Sequence, residues 1–188
     1  MKNEVHPLCA LAAEELQNHI LTQTAWQHNF GLEDEQNGMV IGKMFGVLVV
    51  QTSANEIGYL AAFSGKLAGS NHHQKFVPPV FDLLTENSFL NIGMQELTVL
   101  NAEIKSLEAQ DLKTNEPQII QLKVERKQHS IALQNKIFDQ YHFLNQTGEE
   151  KSLIDLFTAA GYKNPPAGAG ECAGPKLLQY AFQHQLKP

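Results

Sequence analysis

Residues 39–52 read MVIGKMFGVLVVQT, and after SANE at 53–56 a second apolar run follows at 57–65, IGYLAAFSG. Both runs are rich in β-branched and aromatic residues, and the four residues between them favour a turn, so they have the layout of two antiparallel strands. Neither run alternates between polar and apolar, as a strand wetted on one side would. The pattern therefore predicts a sheet covered on both faces. Gly42, Gly46 and Gly58 interrupt the runs; such glycines mark a bulge or a close approach of backbone, and room for a packed helix is preferred here to a ligand contact.

Outward from the hairpin the texture changes on both sides. Upstream, His6-Pro7 followed by LCALAAEELQNHIL has the form of a helix start with Pro7 in the first turn, where its missing N–H costs nothing. Leu8, Leu11, Ala12, Leu16 and Ile20 share one side of that helix and are expected to pack on the sheet. Trp26 and Phe30 follow in a polar stretch, and the acidic residues 31–38 read as a loop. Downstream, KLAGSNHHQKFVPPVFDLL carries turn formers and the pair Pro78-Pro79, which reads as a loop. His72 and His73 are adjacent and point apart with no third ligand near, so a solvated loop is expected rather than a metal site. SGKLAGS lacks the order of a phosphate loop.

From Met94 to about Leu112, and again from about Gln118 to Asn145, the periodicity becomes helical. Leu97, Leu100, Ile104 and Leu107 recur at steps of three and four, as do Ile120, Val124, Ile131, Phe138 and Tyr141 after a break at Thr114–Pro117. Two such arms predict an antiparallel helical hairpin, the second about 40 Å long at 1.5 Å per residue. The stretch KVERKQH in that arm reads as a solvated face. After it, EKSLIDLFTAAG predicts a short helix ended by Gly161. The tail NPPAGAGECAGPKLLQYAFQHQLKP then places a tight loop with Gly168 and Gly170 before a closing helix, with Pro175 in its first turn. Glu171 and Cys172 fall just upstream of that helix, where a thiol is activated and anions are favoured. A buried, inert cysteine is the plainer alternative.

The chain has 188 residues, 43% of them hydrophobic and 18% charged. That suffices for one domain with an appendage and disfavours disorder or a disulfide scaffold. No apolar run approaches the roughly 20 residues of a spanning helix, and the N-terminal residues lack a secretory-signal layout, so no membrane association is expected and a cytoplasmic location is. Cys9 and Cys172 show no paired spacing, which fits a reducing compartment. With 14 Lys+Arg against 20 Asp+Glu, the net charge of -6 gives nucleic-acid binding no support, and Arg126 is the sole arginine.

Several stretches together resemble the N-terminal region of long-form bacterial RluA-type RNA pseudouridine synthases: HPLCALAAEELQ, GKMFGVLVVQT, IGYLAAFSGKLAGSN, FVPPVFDLL, LQNKIFDQYHFLNQTGEEKSL and PPAGAGECAGPKLLQYAF. In that family such a region precedes a catalytic domain whose nucleophilic aspartate lies in H-R-L-D. Here Arg126 is followed by Lys127, so the motif is absent and no catalytic residue carries over. The resemblance implies a piece of a longer protein. In its order of elements the chain is also similar to the first half of the zinc-dependent cytidine-deaminase fold, where the corresponding helix start carries a His or Cys ligand, any residue, then a proton-shuttling glutamate. Cys172 matches the ligand position; Gly174 stands where the glutamate belongs, and no P-C-x-x-C is present.

These readings combine into an α+β fold: a small antiparallel sheet packed on helices, with a long projecting antiparallel helical hairpin. Residues 1–93 and 146–188 are expected to form the body, and 94–145 the inserted arm. The function implied is an accessory domain that positions or regulates an attached pseudouridine synthase domain, itself not catalytic, with RNA contacted through the whole protein. The alternatives are a truncated or degenerate zinc deaminase-like module or a structural module that self-associates through its arms. Gly168, Gly170, Glu171, Cys172 and Lys176 form the candidate loop. Cys172 is the one metal-ligand candidate, and no cofactor is expected.

Overall fold

The structure, a computed structural model, describes residues 5–32, 38–110 and 112–188. Residues 33–37 of the expected acidic loop lie outside them. The fold is α+β, and the chain divides into two compact units, residues 1–81 with 142–188, and residues 82–141.

The first unit is built around β1 (Phe45–Gln51) and β2 (Ile57–Phe63), antiparallel with Phe45 opposite Phe63 and Gln51 opposite Ile57. The strand of the first run begins later than its composition suggests, because the residues before Phe45 are drawn into other contacts: Ile41 N–H donates to the Asn29 carbonyl at 2.9 Å. Helix α1 (Pro7–Thr22) starts as the sequence indicates, with Pro7 at its first position and the His6 ring accepting from the Leu8 N–H. It buries Ala12 and Leu16 but leaves Leu11 60% exposed, so the packed stripe is narrower than expected.

Both faces of the hairpin are covered. On one, Ala62, Leu48 and Leu60 pack with Ala173 and Leu177 of the closing helix α5 (Ala173–Gln183). A Cβ at Gly46 would lie 3.1 Å from the Ala173 Cβ and 3.3 Å from Leu177 Cδ1, so Gly46 does make room for a helix. On the other face, the Tyr59 hydroxyl reaches Glu15 of α1 at 2.9 Å, and Lys75 joins the same carboxylate at 2.8 Å. Nearby rings run in contact from Trp26 through Phe30, Phe45 and Phe76 to Phe63. His73 is drawn into that cluster against Trp26 and Phe63, and its Nε2 meets the Leu67 carbonyl at 2.7 Å. Of the expected solvated histidine pair, only His72 is exposed.

Residues 142–152 correct the sequence reading. Instead of extending the helical arm and then starting a helix, they form a second antiparallel pair, β3 (His142–Leu144) with β4 (Glu150–Ser152). The turn is self-specified: Asn145 Oδ1 accepts from the Thr147 and Glu149 N–H groups, and Gly148 takes φ 82°. Helix α4 (Leu153–Ala159) then starts at Ser152, whose hydroxyl accepts from the Asp155 N–H.

The second unit is the helical hairpin α2 (Phe89–Ala109) and α3 (Leu112–Phe138). Its bounds differ from 94–145. Ser88 caps α2 earlier than the apolar pattern indicates, and His142–Leu144 belongs to the first unit. The expected break at 114–117 is helix. Asn115 Nδ2 donates to the Leu107 carbonyl at 3.4 Å, supplying a partner near the end of α2, and Pro117 sits early in α3, where its missing N–H forfeits one ladder bond. Ile104, Ile119 and Leu122 form the core with Leu100 and Leu107 around it. In α3 the inward positions are Asn115, Ile119, Leu122, Arg126, His129 and Leu133, spaced by fours and threes. Arg126 donates to Asn101 at 2.8 Å, and His129 lies 3.1 Å from Glu96. Polar residues in that seam displace the expected stripe, and Ile120, Val124 and Ile131 are 56%, 46% and 51% exposed.

Candidate functional site

The glycine-rich tail folds as two parts. Upstream of α5, the Ala169 N–H donates to the Pro166 carbonyl and the Glu171 N–H to the Gly168 carbonyl. These turns need left-handed backbone at Gly168 (φ 77°) and Gly170 (φ 92°), which glycine adopts without steric cost. Cys172 then takes the cap position of α5 but makes no side-chain capping bond, and its side chain is exposed. Ala173, Lys176, Leu177 and Ala181 recur at helical spacing and are buried, so the helix presents an inward face interrupted by one ammonium group.

Lys176 is 3% exposed. Its Nζ donates to the carbonyls of Phe63 at 2.9 Å and Gly65 at 3.0 Å, and stands 4.9 Å from the centre of the Phe63 ring. The carbonyl between them, that of Ser64, accepts from Lys43 Nζ at 3.1 Å. The Gly65 N–H in turn donates to the Glu171 carbonyl at 3.0 Å. The end of β2 is therefore clasped from both directions: three successive carbonyls are held by two ammonium groups, and an amide is held by the loop before α5. Burial pushes the Lys176 ammonium below the usual lysine range, and the nearby Glu171 opposes that shift. Burial also lowers Lys43, with Lys66 adding to the effect.

Of the five residues singled out, the structure makes Gly168 and Gly170 turn positions, brings Glu171 and Lys176 to one cluster, and leaves Cys172 at its exposed edge. Sequence reasoning missed Lys43, Ser64 and Gly65. The available signal was a lysine embedded in an apolar run, GKMF, since a cation there needs an internal partner. It also missed the buried Gln179, whose Oε1 accepts from the Leu144 N–H at 2.8 Å and ties β3 to α5.

In chemical terms the cluster is a fastening. The Lys176 nitrogen, which would be a nucleophile if neutral and open, spends two N–H groups on main-chain carbonyls. No group of three or more His, Cys, Asp or Glu able to hold a metal occurs among the described residues, around Cys172 or elsewhere. A deaminase-type zinc does not fit this donor set, and Gly174, at the glutamate position of that motif, faces open space. No helix among the described residues is long and apolar enough to cross a membrane. No family model, no curated protein and no solved structure matches the chain.

Proposed function

We propose that this chain is an accessory, non-catalytic region of an RluA-type RNA pseudouridine synthase, serving to position or regulate the catalytic domain. The observation that carries the reading is the use made of GECAGPKLLQYAF, the most distinctive of the stretches behind the resemblance. Lys176 holds the end of β2, and Ala173 and Leu177 fill the space over Gly46. Within that stretch the buried ammonium of Lys176 and the buried apolar side chains of α5 serve packing, as an accessory region requires, and Cys172 stays exposed at the edge.

Two cations of the hairpin are partnered within it. Arg126 is committed to Asn101, and Lys123 pairs with Glu108 at 2.7 Å. Cations already partnered within the fold have less to offer phosphates. A deaminase-like module is the second reading, favoured by α5 packing on the β1–β2 pair with Cys172 at its cap.

The test is tritium release from RNA carrying labelled uridine, run on the purified chain and on the protein encoded by the whole reading frame. Release is expected only from a protein that includes an H-R-L-D motif beyond Pro188. Release by the 188-residue chain alone, or an open reading frame without that motif, would overturn the proposal.

A further inference from the structure

We infer that the outer edge of β1 is a docking edge for a third antiparallel strand, and that its occupant is the polypeptide continuing from Lys187-Pro188; the second half of this inference rests on the reading of the chain as a region of a longer protein. In the β1–β2 pair the hydrogen-bonded rungs include Met44 with Ser64 and Thr52 with Glu56. Antiparallel rungs alternate, so the main-chain groups of Phe45, Val47, Val49 and Gln51 point away from β2. Gln51 is already paired on that side: its N–H donates to the Lys187 carbonyl at 2.8 Å, and the Lys187 N–H donates back at 2.9 Å, an antiparallel bridge. Among the described residues nothing bonds to the outward N–H and C=O groups of Phe45, Val47 or Val49.

The ladder begun at Lys187 fixes the register of the residues after it. Pro188 falls opposite Val50, whose own N–H and C=O face β2. At that rung the incoming strand would turn its N–H away from β1, and this is the position at which a proline costs the new ladder nothing. The next residue would meet Val49, and the residue two further on Val47. Side chains opposite Val49 and Val47 share the face that carries Tyr59 and Phe63, and the ones between share the face under α5. Lys187 and Pro188 at the start of this ladder are exposed, and further along, beside the faces packed by α1 and α5, the fitting occupant is a short run of β-branched and aromatic residues.

Amide hydrogen exchange at Val47 and Val49 tests the inference, measured in this chain and in the protein from the whole reading frame. Exchange at both amides at least about tenfold slower in the longer protein supports it. Equal exchange in the two overturns it, as does a reading frame that ends at Pro188. Slowed exchange without H-R-L-D downstream keeps the docking edge and defeats the accessory-domain reading; unchanged exchange with H-R-L-D present does the reverse. Val49→Pro removes one outward N–H and no rung to β2. In the longer protein it should restore fast exchange at Val47 while Leu48 and Val50, bonded to β2, stay slow. Slow exchange persisting at Val47 would count against the docked strand.

Discussion

The Lys176 ammonium on the first turn of α5 donates to the Gly65 carbonyl across 3.0 Å, joining residues 111 positions apart in sequence. That bond and its companion to Phe63 fix where the closing helix meets the hairpin, and with it the whole layer over Gly46 and Ala62.

Ile104 and Ile131 separate the core of the helical hairpin from its surface. Ile104 is 3% exposed and Ile131 is 51% exposed. Ile104→Ala should cost roughly 2–5 kcal/mol, whereas Ile131→Asp should stay within about 0.5 kcal/mol, because no buried space is emptied and no charge is desolvated. Urea unfolding of the two variants checks this. A large loss from Ile131→Asp would mean that the apolar side chain is covered in solution.

The Glu15 carboxylate links α1 to Tyr59 and Lys75, and its pKa is lowered, first by the hydrogen bond from Lys75 and then by that from Tyr59. A carboxyl whose folded pKa lies below its unfolded one stabilises the fold above the ordinary glutamate value and loses that contribution as pH falls through the folded one. Glu15→Gln should therefore lower the melting temperature at neutral pH, and the gap from the parent should close as the pH falls through the carboxylate range. The site is exposed, so the effect is small. A gap that stays constant with pH would assign the loss to packing instead.

Cys172 is exposed and Cys9 half-buried in α1. Iodoacetamide under native conditions should label Cys172 first, as peptide mass analysis would show. Preferential labelling of Cys9 would mean that the loop before α5 is covered in solution.

How much of this was legible in the sequence depended on whether a residue's role was local. The β1–β2 pair, the start of α1 at Pro7, the stripe Leu97 to Leu107 in α2 and the room at Gly46 are read from composition and spacing. The inward face of α3 is not, because Arg126 and His129 occupy core-facing positions through partners on the other helix, Asn101 and Glu96, which periodicity of apolar residues cannot register. The β3–β4 pair was hidden by its three-residue strands, too short to show a period. The tail loop was recognisable as unusual. Its use was not, since the carbonyls that Lys176 serves lie at Phe63 and Gly65, far upstream.

Equilibrium unfolding of Lys176→Met tests most directly whether GECAGPK serves the fold. Methionine fills a similar volume but leaves the Phe63 and Gly65 carbonyls without their donor, so a loss of roughly 1–3 kcal/mol with the overall fold retained is expected. Stability equal to or above that of the parent would contradict the fastening role, because a lysine freely replaced by an apolar residue is not holding the end of β2.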